Sequence, residues 1–298
     1  MKSKFLKYFC ICICLFIIYY IFSHNEIITK NILYAVNLWL TKVFPALFPM
    51  FIINDFLLYL DFPIFIANLF TPIIKKFKLN AYAIYVYIMS LFSGSPTNAV
   101  IIKQLVKDNK ISCNDASYII SFTYFSNPLF LWTMLNVIFE THTTIKIIGI
   151  QYITNFIIFI IFKGKIKPKL TIEKNSTHIN VSKFINKSIK KNIDTLLMIL
   201  GTITFYLIIS TILSNYITFN NTLVKGFIEI TQGLNLVNTL SVSTKLKEII
   251  AVSIISFGGL SIHTQINNVI EDTNIKYKYF LIGRIIQLII SNLLIILF

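Results

Sequence analysis

Long apolar runs separated by short, lysine-bearing polar segments make up most of the chain. Several runs reach about 20 residues, the length that an α-helix needs to cross the hydrocarbon core of a bilayer. The runs are continuous rather than alternating, which favours helices over a membrane β-barrel. The pattern therefore predicts an all-α polytopic membrane protein. Spanning helices are expected at Phe5–Phe22, Ile32–Leu60, Ile145–Phe162, Ile193–Leu213 and Tyr277–Phe298.

Two apolar runs too short to span a bilayer end at a glycine-containing break. Ala81–Phe92 runs into Ser93-Gly94-Ser95-Pro96, and Ile249–Phe257 runs into Gly258-Gly259. A shift of 164 positions places Gly94 on Gly258. Short hydrophobic segments interrupted by Gly or Pro in corresponding halves are typical of a transporter's binding site.

We therefore predict two inverted repeats, each with a broken re-entrant helical hairpin, at Leu79–Lys110 and Lys247–Lys276. The alternative is chance similarity between two apolar segments. The predicted units are an N-terminal membrane helix (residues 1–30), a first repeat (31–163), a basic cytoplasmic linker (164–191) and a second repeat (192–298).

Three further segments carry local signals. Ser112-Cys113-Asn114-Asp115 has the spacing of a capping box and predicts a helix that continues to about Phe139, through Ser126-Asn127-Pro128. Val224–Leu240 carries Glu229 and is too polar for a simple span. Lys183–Lys191 is predicted to form a basic helix at the membrane surface.

Charge and composition narrow the class of protein. The 298 residues are 56% hydrophobic with a formal net charge of +15. The lysines flank the apolar runs, which indicates cytoplasmic loops and attraction to anionic lipid, and no separate basic domain points to nucleic acid. The four cysteines lack metal-ligand spacing, and no P-loop or hydrolase motif occurs. We expect no metal, no cofactor and no enzymatic activity.

The predicted breaks favour a small anion as ligand. The first amides of the returning helix have no partner within that helix, and its dipole places partial positive charge there. Glycine lets the backbone approach a ligand. Neutral hydrogen-bonding groups and one carboxylate complete the predicted binding residues, which are Gly94, Ser95, Thr97, Asn98, Gly258, Gly259, Ser261, His263 and Glu229. For each polar residue the alternative is a cap on its own helix end.

The acidic residues within apolar segments are Asp55 and Glu229. A carboxylate in hydrocarbon lines a cavity, pairs with a cation or carries a proton. The pattern favours a functional role for Glu229. For both residues the alternative is a position at the interface, where water reaches the side chain.

Several motifs resemble one family. M-S-L-F-S-G-S-P-T-N-A-V-I-I-K-Q-L and S-N-P-L-F resemble the first half of the YlbJ family of sporulation integral membrane proteins, and G-F-I-E-I-T-Q-G-L and S-F-G-G-L-S-I-H-T-Q resemble its second half. The first half departs from the family pattern at Ser95, Asn98 and Phe125-Ser126. The resemblance extends from about Trp39 to the C-terminus. It implies the repeat plan of the nucleoside-recognition Gate group, which is similar to concentrative nucleoside transporters.

The resemblance also implies a function and a location. The expected function is movement of dipicolinate, a small aromatic dicarboxylate, across the mother-cell-derived outer forespore membrane of a spore-forming bacterium. The alternatives are a transporter of nucleosides or other metabolites and a non-transporting membrane scaffold for spore assembly. Self-association and other sporulation membrane proteins stay open as partners.

Overall fold

The computed structural model describes residues 2–171, 181–216 and 222–298, and every regular element in these ranges is helical. Residues 172–180 of the predicted linker and 217–221 of the loop after Ile193–Leu213 lie outside them. In chain order the α-helices are α1 Lys2–Ser23, α2 Asn25–Leu38, α3 Phe44–Tyr59, α4 Phe62–Leu69, α5 Thr71–Lys76, α6 Ala81–Ser93, α7 Thr97–Lys107, α8 Cys113–Phe122, α9 Pro128–Leu135, α10 Thr141–Phe162, α11 Val181–Tyr216, α12 Thr222–Ile228, α13 Ile230–Thr239, α14 Thr244–Phe257, α15 Gly259–Ile270 and α16 Tyr277–Leu297.

Within the described ranges, six segments are long and apolar enough to cross a membrane, which confirms the polytopic helical class. They are Phe5–Ser23, Asn25–Tyr59, Thr141–Lys165, Val181–Ser214, Thr244–Ile270 and Tyr277–Leu297. The second segment joins α2 to α3 through a π-helical turn at Trp39–Val43. Pro45 lies in the first turn of α3. A π turn shifts the hydrogen-bond register, so the chain stays helical next to a residue that cannot donate.

Helices α6 and α7 form the predicted first hairpin. Asn80 caps α6 by accepting from the amides of Tyr82 (2.9 Å) and Ala83 (3.2 Å). The amide of Ala81 donates to the Lys169 carbonyl (2.8 Å), and the Lys169 ammonium donates to the Lys110 carbonyl (3.3 Å). The start of α6 and the end of α7 therefore lie together, at what we call the lysine-rich end of the bundle.

The second fold-back is at Glu229, between α12 and α13. A Cβ added to Gly233 would lie 2.2 Å from the Gly226 Cα. Seven residues of continuous helix would separate these two positions by about 10 Å. The chain therefore reverses direction at Ile228–Ile230, inside the segment that was predicted only to be too polar for a simple span.

The predicted second hairpin, Lys247–Lys276, is wrong. The chain does break at Gly258, where φ is +89°, but it does not turn back. The Lys245 ammonium donates to the Ile295 carbonyl at the end of α16 (2.5 Å), whereas α15 leads into the start of α16. Helices α14 and α15 therefore follow one another as one broken span, with α14 antiparallel to α16. The shift of 164 positions matched a hairpin tip to a break within a span.

The predicted continuous helix from Ser112 to Phe139 is also broken. Its start is confirmed, since the Ser112 hydroxyl oxygen accepts from the Asp115 amide (3.0 Å). The helix ends at Phe122, and α9 begins at Pro128 after an irregular stretch. Asn127 caps α9 by accepting from the amides of Leu129 (2.9 Å) and Phe130 (3.1 Å). Asn followed by Pro at the first helical position is a start signal.

The prediction of a separate basic helix at Lys183–Lys191 is wrong. Lys183–Lys191 is not a separate surface helix, because it forms the first turns of the 36-residue helix α11. Asp55 of α3 joins α11 near this basic segment: its carboxylate accepts from Lys191 (2.8 Å), Ser188 (2.7 Å) and Asn192 (2.9 Å). Asp55 is therefore buried and paired, and it does not have the water-exposed position that was the alternative.

Candidate functional site

Four irregular points of the fold meet around one cavity of about 50 Å³. They are the tip of the α6–α7 hairpin, the α8–α9 break, the tip of the α12–α13 hairpin and the first turns of α15. We call this space the central cavity. Its lining consists of Val43, Leu47, Ser95, Tyr124, Ser126, Asn127, Phe130, Ile199, Ile203, Glu229, Ile230, Thr231, Ser261, Ile262 and Gln265. The apolar members come largely from α3, α11 and the π-helical turn, and the polar members from the irregular points.

The first hairpin tip contributes Ser95, whose hydroxyl donates to the Asn98 Oδ1 (2.9 Å). Asn98 is buried, and its Nδ2 has no partner among the described residues. Gly94 does not line the central cavity. Its φ is +72°, and an added Cβ would lie 2.6 Å from the Asn127 amide nitrogen. Glycine is therefore required here so that the tip can touch the α8–α9 break, where the Ser95 amide donates to the Phe125 carbonyl (2.8 Å).

The second hairpin tip places Glu229 in the cavity with no exposed surface. Its Oε2 caps α13 by accepting from the Gln232 amide (2.8 Å), and it also accepts from the Thr231 hydroxyl. Its Oε1 has no hydrogen-bond partner among the described residues. One carboxylate oxygen thus caps α13, and the other has no hydrogen-bond partner in the described part of the chain.

The start of α15 adds Ser261 and Gln265. The Ser261 hydroxyl and the Gln265 Oε1 are buried and have no partners in the described part of the chain. Gln265 is oriented by its other atom, because Nε2 donates to the Thr202 hydroxyl of α11 (2.7 Å). Buried polar groups are nearly always paired in native structures, so a cluster of free ones that line a single cavity indicates a ligand site.

The two glycines of the α14–α15 break hold it against its neighbours. An added Cβ on Gly258 would lie 2.5 Å from the Tyr124 hydroxyl oxygen, and one on Gly259 would lie 3.1 Å from the Ile230 amide nitrogen. Both residues have positive φ, at +89° and +71°. They therefore allow the break to pack against the α8–α9 break and the second hairpin tip.

Two predicted binding residues face elsewhere. Both ring nitrogens of His263 are engaged, one with the Tyr277 hydroxyl of α16 (2.5 Å) and the other with the Phe257 carbonyl at the end of α14 (3.0 Å), so the side chain neither lines the central cavity nor caps its own helix. Thr97 lines a second cavity of about 40 Å³ beside α3 and α11, together with Asp55 and Lys191.

Tyr124 and Arg284 were not predicted. Arg284 is fully buried, with its guanidinium carbon 4.1 Å from the centroid of the Tyr124 ring. It donates to the Ser121 carbonyl (3.1 Å), contacts the Ser256 carbonyl (3.5 Å) and bonds Gln287. Those two carbonyls belong to the last turns of α8 and α14, where helices lack internal partners. The sequence signal that could have identified Arg284 is its position as a single arginine within an apolar run.

The electrostatics of the cavity come from helix ends. Helices α7, α9, α13 and α15 all begin at its wall. Asn127 and Glu229 cap α9 and α13, whereas α7 and α15 have no side-chain cap. Uncapped amides and the helix dipole favour an anion. Within the described ranges no Lys, Arg or His lines the cavity, and Glu229 is its one formally charged member.

In the described part of the chain, six apolar helical segments together with a buried cavity that has polar walls are typical of a polytopic helical membrane protein. The sporulation integral membrane protein YlbJ of Bacillus subtilis (strain 168) is 26% identical to the chain over 317 aligned positions, which cover 92% of the chain and 78% of the relative. This similarity supports the resemblance of the chain to the YlbJ family. No protein-family model matches the chain, and no solved structure matches it.

Proposed function

We propose that the protein transports a small carboxylate anion across a membrane during sporulation. The observation that carries the proposal is the arrangement of the central cavity. Helices α7 and α15, whose N-termini have no side-chain cap, begin beside it, and Ser261 and Gln265 contribute polar atoms that have no partner among the described residues. Such groups compensate for the water that an anion loses on binding.

The order of elements supports a transport mechanism. Helices α6–α10 and α12–α16 each consist of a hairpin, a broken span and an unbroken span, and we propose that they form an inverted repeat. The first hairpin starts at the lysine-rich end. The second is next to the opposite end, where Lys146 of α10 pairs with Glu248 of α14 (2.7 Å). Inverted repeats with broken helices around a central site allow the site to open to one side at a time.

The substrate that the family resemblance implies is dipicolinate, and the implied location is the outer forespore membrane. The name of the Bacillus subtilis relative supports a role in sporulation. Two carboxylates on a rigid ring match the two uncapped helix N-termini. A cavity of about 50 Å³ holds on the order of four water molecules at about 10–15 Å³ each, so a ring-sized ligand requires its walls to separate.

A nucleoside is the second candidate substrate. The observation in its favour is that the described polar lining is made of hydroxyl and amide groups with one carboxylate and no cationic side chain. Such groups suit sugar hydroxyls and base edges as well as they suit an anion.

Equilibrium binding to the purified protein in detergent separates the candidates. Isothermal titration with dipicolinate, its uncharged dimethyl ester and a set of nucleosides tests charge and shape together. We expect dipicolinate to bind and the ester to bind at least about tenfold more weakly, because the ester removes both charge-assisted hydrogen bonds. Tighter binding of a nucleoside would favour the second candidate. Binding of none of these by folded protein would favour the scaffold hypothesis.

A further inference from the structure

We propose that Glu229 is a proton-binding site and that the protein moves a proton together with its anionic substrate. This inference rests on the proposed transport of a carboxylate. It identifies the co-transported ion and the atom that carries it, which is the Glu229 Oε1.

The first step is the geometry of the carboxylate. Glu229 has no exposed surface, and its Oε2 is occupied by the Gln232 amide and the Thr231 hydroxyl. Oε1 lines the cavity without a partner in the described part of the chain. A proton on Oε1 leaves the cap on α13 intact and turns the free oxygen into a donor. Acceptors are at hand, since the Ser261 hydroxyl and the Gln265 Oε1 line the same space unpaired.

The second step is the charge balance. A substrate carboxylate in a cavity of this size lies within a few ångströms of Glu229, and two carboxylates that share a site do not both stay ionised. Among the described residues that line the cavity, none is a cation that could offset the second charge. The substrate anion therefore favours the protonated form of Glu229, and the protonated form favours the substrate.

Both protonation states of Glu229 are accessible, because opposing effects act on its carboxylate. The cap hydrogen bond and the N-terminal end of α13 stabilise the charged carboxylate. Complete burial opposes the charge. Because these effects act in opposite directions, the addition or removal of one nearby charge shifts the balance between the two forms. Linkage then makes proton binding and anion binding reciprocal.

The neighbouring titratable groups do not supply this proton. Tyr124 of the α8–α9 break lines the cavity, Tyr34 of α2 bonds Asn235 of α13, and Arg284 of α16 lies behind the Tyr124 ring. Tyrosine and arginine ordinarily keep their protons across pH 5.5–8. His263 of α15 has both ring nitrogens engaged away from the cavity. Lys225 precedes Glu229 by one turn and is absent from the lining.

Dipicolinate uptake into proteoliposomes under an imposed pH gradient tests the inference. One pH unit across the membrane corresponds to about 1.4 kcal/mol per proton, so accumulation should rise by up to about tenfold and collapse with a protonophore. Glu229→Gln preserves an acceptor for the α13 cap and removes the titration. We expect this variant to take up dipicolinate without a response to the gradient. Glu271→Gln, an exposed acid beyond α15, is the matched control and should respond as the wild type does.

Proton uptake on binding, followed by a pH indicator in weakly buffered detergent solution, gives a second readout. About one proton per bound dipicolinate is expected for the wild type and none for Glu229→Gln. Binding without proton uptake, uptake driven by a sodium gradient alone, or a gradient response that persists in Glu229→Gln would overturn the inference and leave carboxylate transport standing. Folded protein that neither binds nor transports a carboxylate would overturn both proposals.

Discussion

At the scale of single residues, the central cavity depends on close contacts at its helix breaks. Gly258 has φ of +89°, and the site of its missing Cβ lies 2.5 Å from the Tyr124 hydroxyl oxygen. Any side chain here both strains the backbone and pushes the two breaks apart. Gly94 plays the same part at the first hairpin tip, against the backbone of Asn127.

We predict that Gly258→Ala lowers the unfolding free energy by at least about 1–2 kcal/mol, the cost of left-handed backbone for a residue with a Cβ. The displaced Tyr124 adds to this cost. Thermal unfolding of the purified protein measures it. Gly201→Ala in α11 is the matched control, because an added Cβ meets no atom within 4 Å there. Equal melting temperatures for the two variants would contradict the packing described for Gly258.

Tyr124 has two separable roles. Its hydroxyl lines the cavity and is 3.4 Å from both the Ser126 hydroxyl and the Ile255 carbonyl, whereas its ring covers Arg284. Tyr124→Phe removes the hydroxyl and keeps the ring. We expect little loss of stability and dipicolinate binding that is about two- to tenfold weaker, which matches one neutral hydrogen bond.

Isothermal titration checks that expectation, with Tyr118→Phe as control because the Tyr118 hydroxyl bonds Tyr279 outside the cavity. Wild-type affinity in Tyr124→Phe would exclude a hydroxyl–ligand contact. A comparable loss in Tyr118→Phe would indicate a general effect on folding.

The positions of the helix breaks could be predicted from the sequence, but the residues that pack against those breaks could not. Gly94 and Gly258 mark real breaks, because positive φ is a local property that glycine reports. Arg284 and Tyr124 were missed, since their importance comes from carbonyls and rings of distant segments. His263 stands beside Gly258-Gly259 in the sequence, but the helical turn directs it to Tyr277.

At the scale of elements, α3 and α11 are joined by a buried carboxylate. Asp55 accepts three hydrogen bonds from Lys191, Ser188 and Asn192. We predict that Asp55→Ala lowers the unfolding free energy by about 2–3 kcal/mol, because three donors lose their acceptor. Lys191→Met should cost less, about 1 kcal/mol or below, since its side chain is 44% exposed and the two neutral donors remain.

Chemical denaturation of both variants tests this ranking. Asp194→Ala is the control, because Asp194 is an exposed acid on the same helix. A larger cost for Lys191→Met than for Asp55→Ala would contradict the assignment of Asp55 as the centre of the cluster.

The ends of α7 and α15 are tied together by a surface ion cluster at the lysine-rich end. The Asp272 carboxylate lies 2.7 Å from the ammonium groups of Lys103 and Lys107, and these hydrogen bonds lower the pKa of Asp272 to about 2. A lowered pKa means stabilisation that is complete above the ordinary pKa of 3.8 and is lost as the pH falls through about 2.

We therefore expect Asp272→Asn to be slightly less stable than the wild type above about pH 4 and to converge with it towards pH 2, and the difference should be small because the cluster is exposed and screened. Melting temperatures of wild type and variant across that range measure the difference. Parallel pH profiles would show that the cluster contributes nothing.

Element boundaries were more predictable than connections between elements. The Ser112 cap, α10 and α16 follow directly from local pattern. The turn at Glu229 has no Gly or Pro at its tip, and its close packing depends on Gly226 meeting Gly233, so period and turn signals do not reveal it. Asn127-Pro128 is a signal for the start of a helix, but the apolar residues on both sides of it favoured the prediction of one continuous helix.

At the scale of the whole molecule, the central cavity lies between two groups of elements. On one side are α3 and α11, linked through Asp55. On the other are the two hairpins and the two broken spans, in which Asp272 links α7 to the end of α15 and Arg284 links α8 to α14. A ligand larger than the cavity requires movement between these groups. The sequence predicted that two broken segments supply the site, and the structure brings four irregular points to it.

The most direct test of the account is dipicolinate uptake into proteoliposomes, with terbium luminescence inside as the reporter. Wild type, Ser261→Ala and Ser241→Ala are compared at equal insertion. Ser261→Ala removes a cavity hydroxyl that has no hydrogen-bond partner among the described residues, and Ser241 is an exposed control. We predict uptake by the wild type and Ser241→Ala, with half-saturation of Ser261→Ala raised about two- to tenfold. Uptake that is equal in all three, or absent from folded wild type, would contradict the central cavity as a carboxylate transport site.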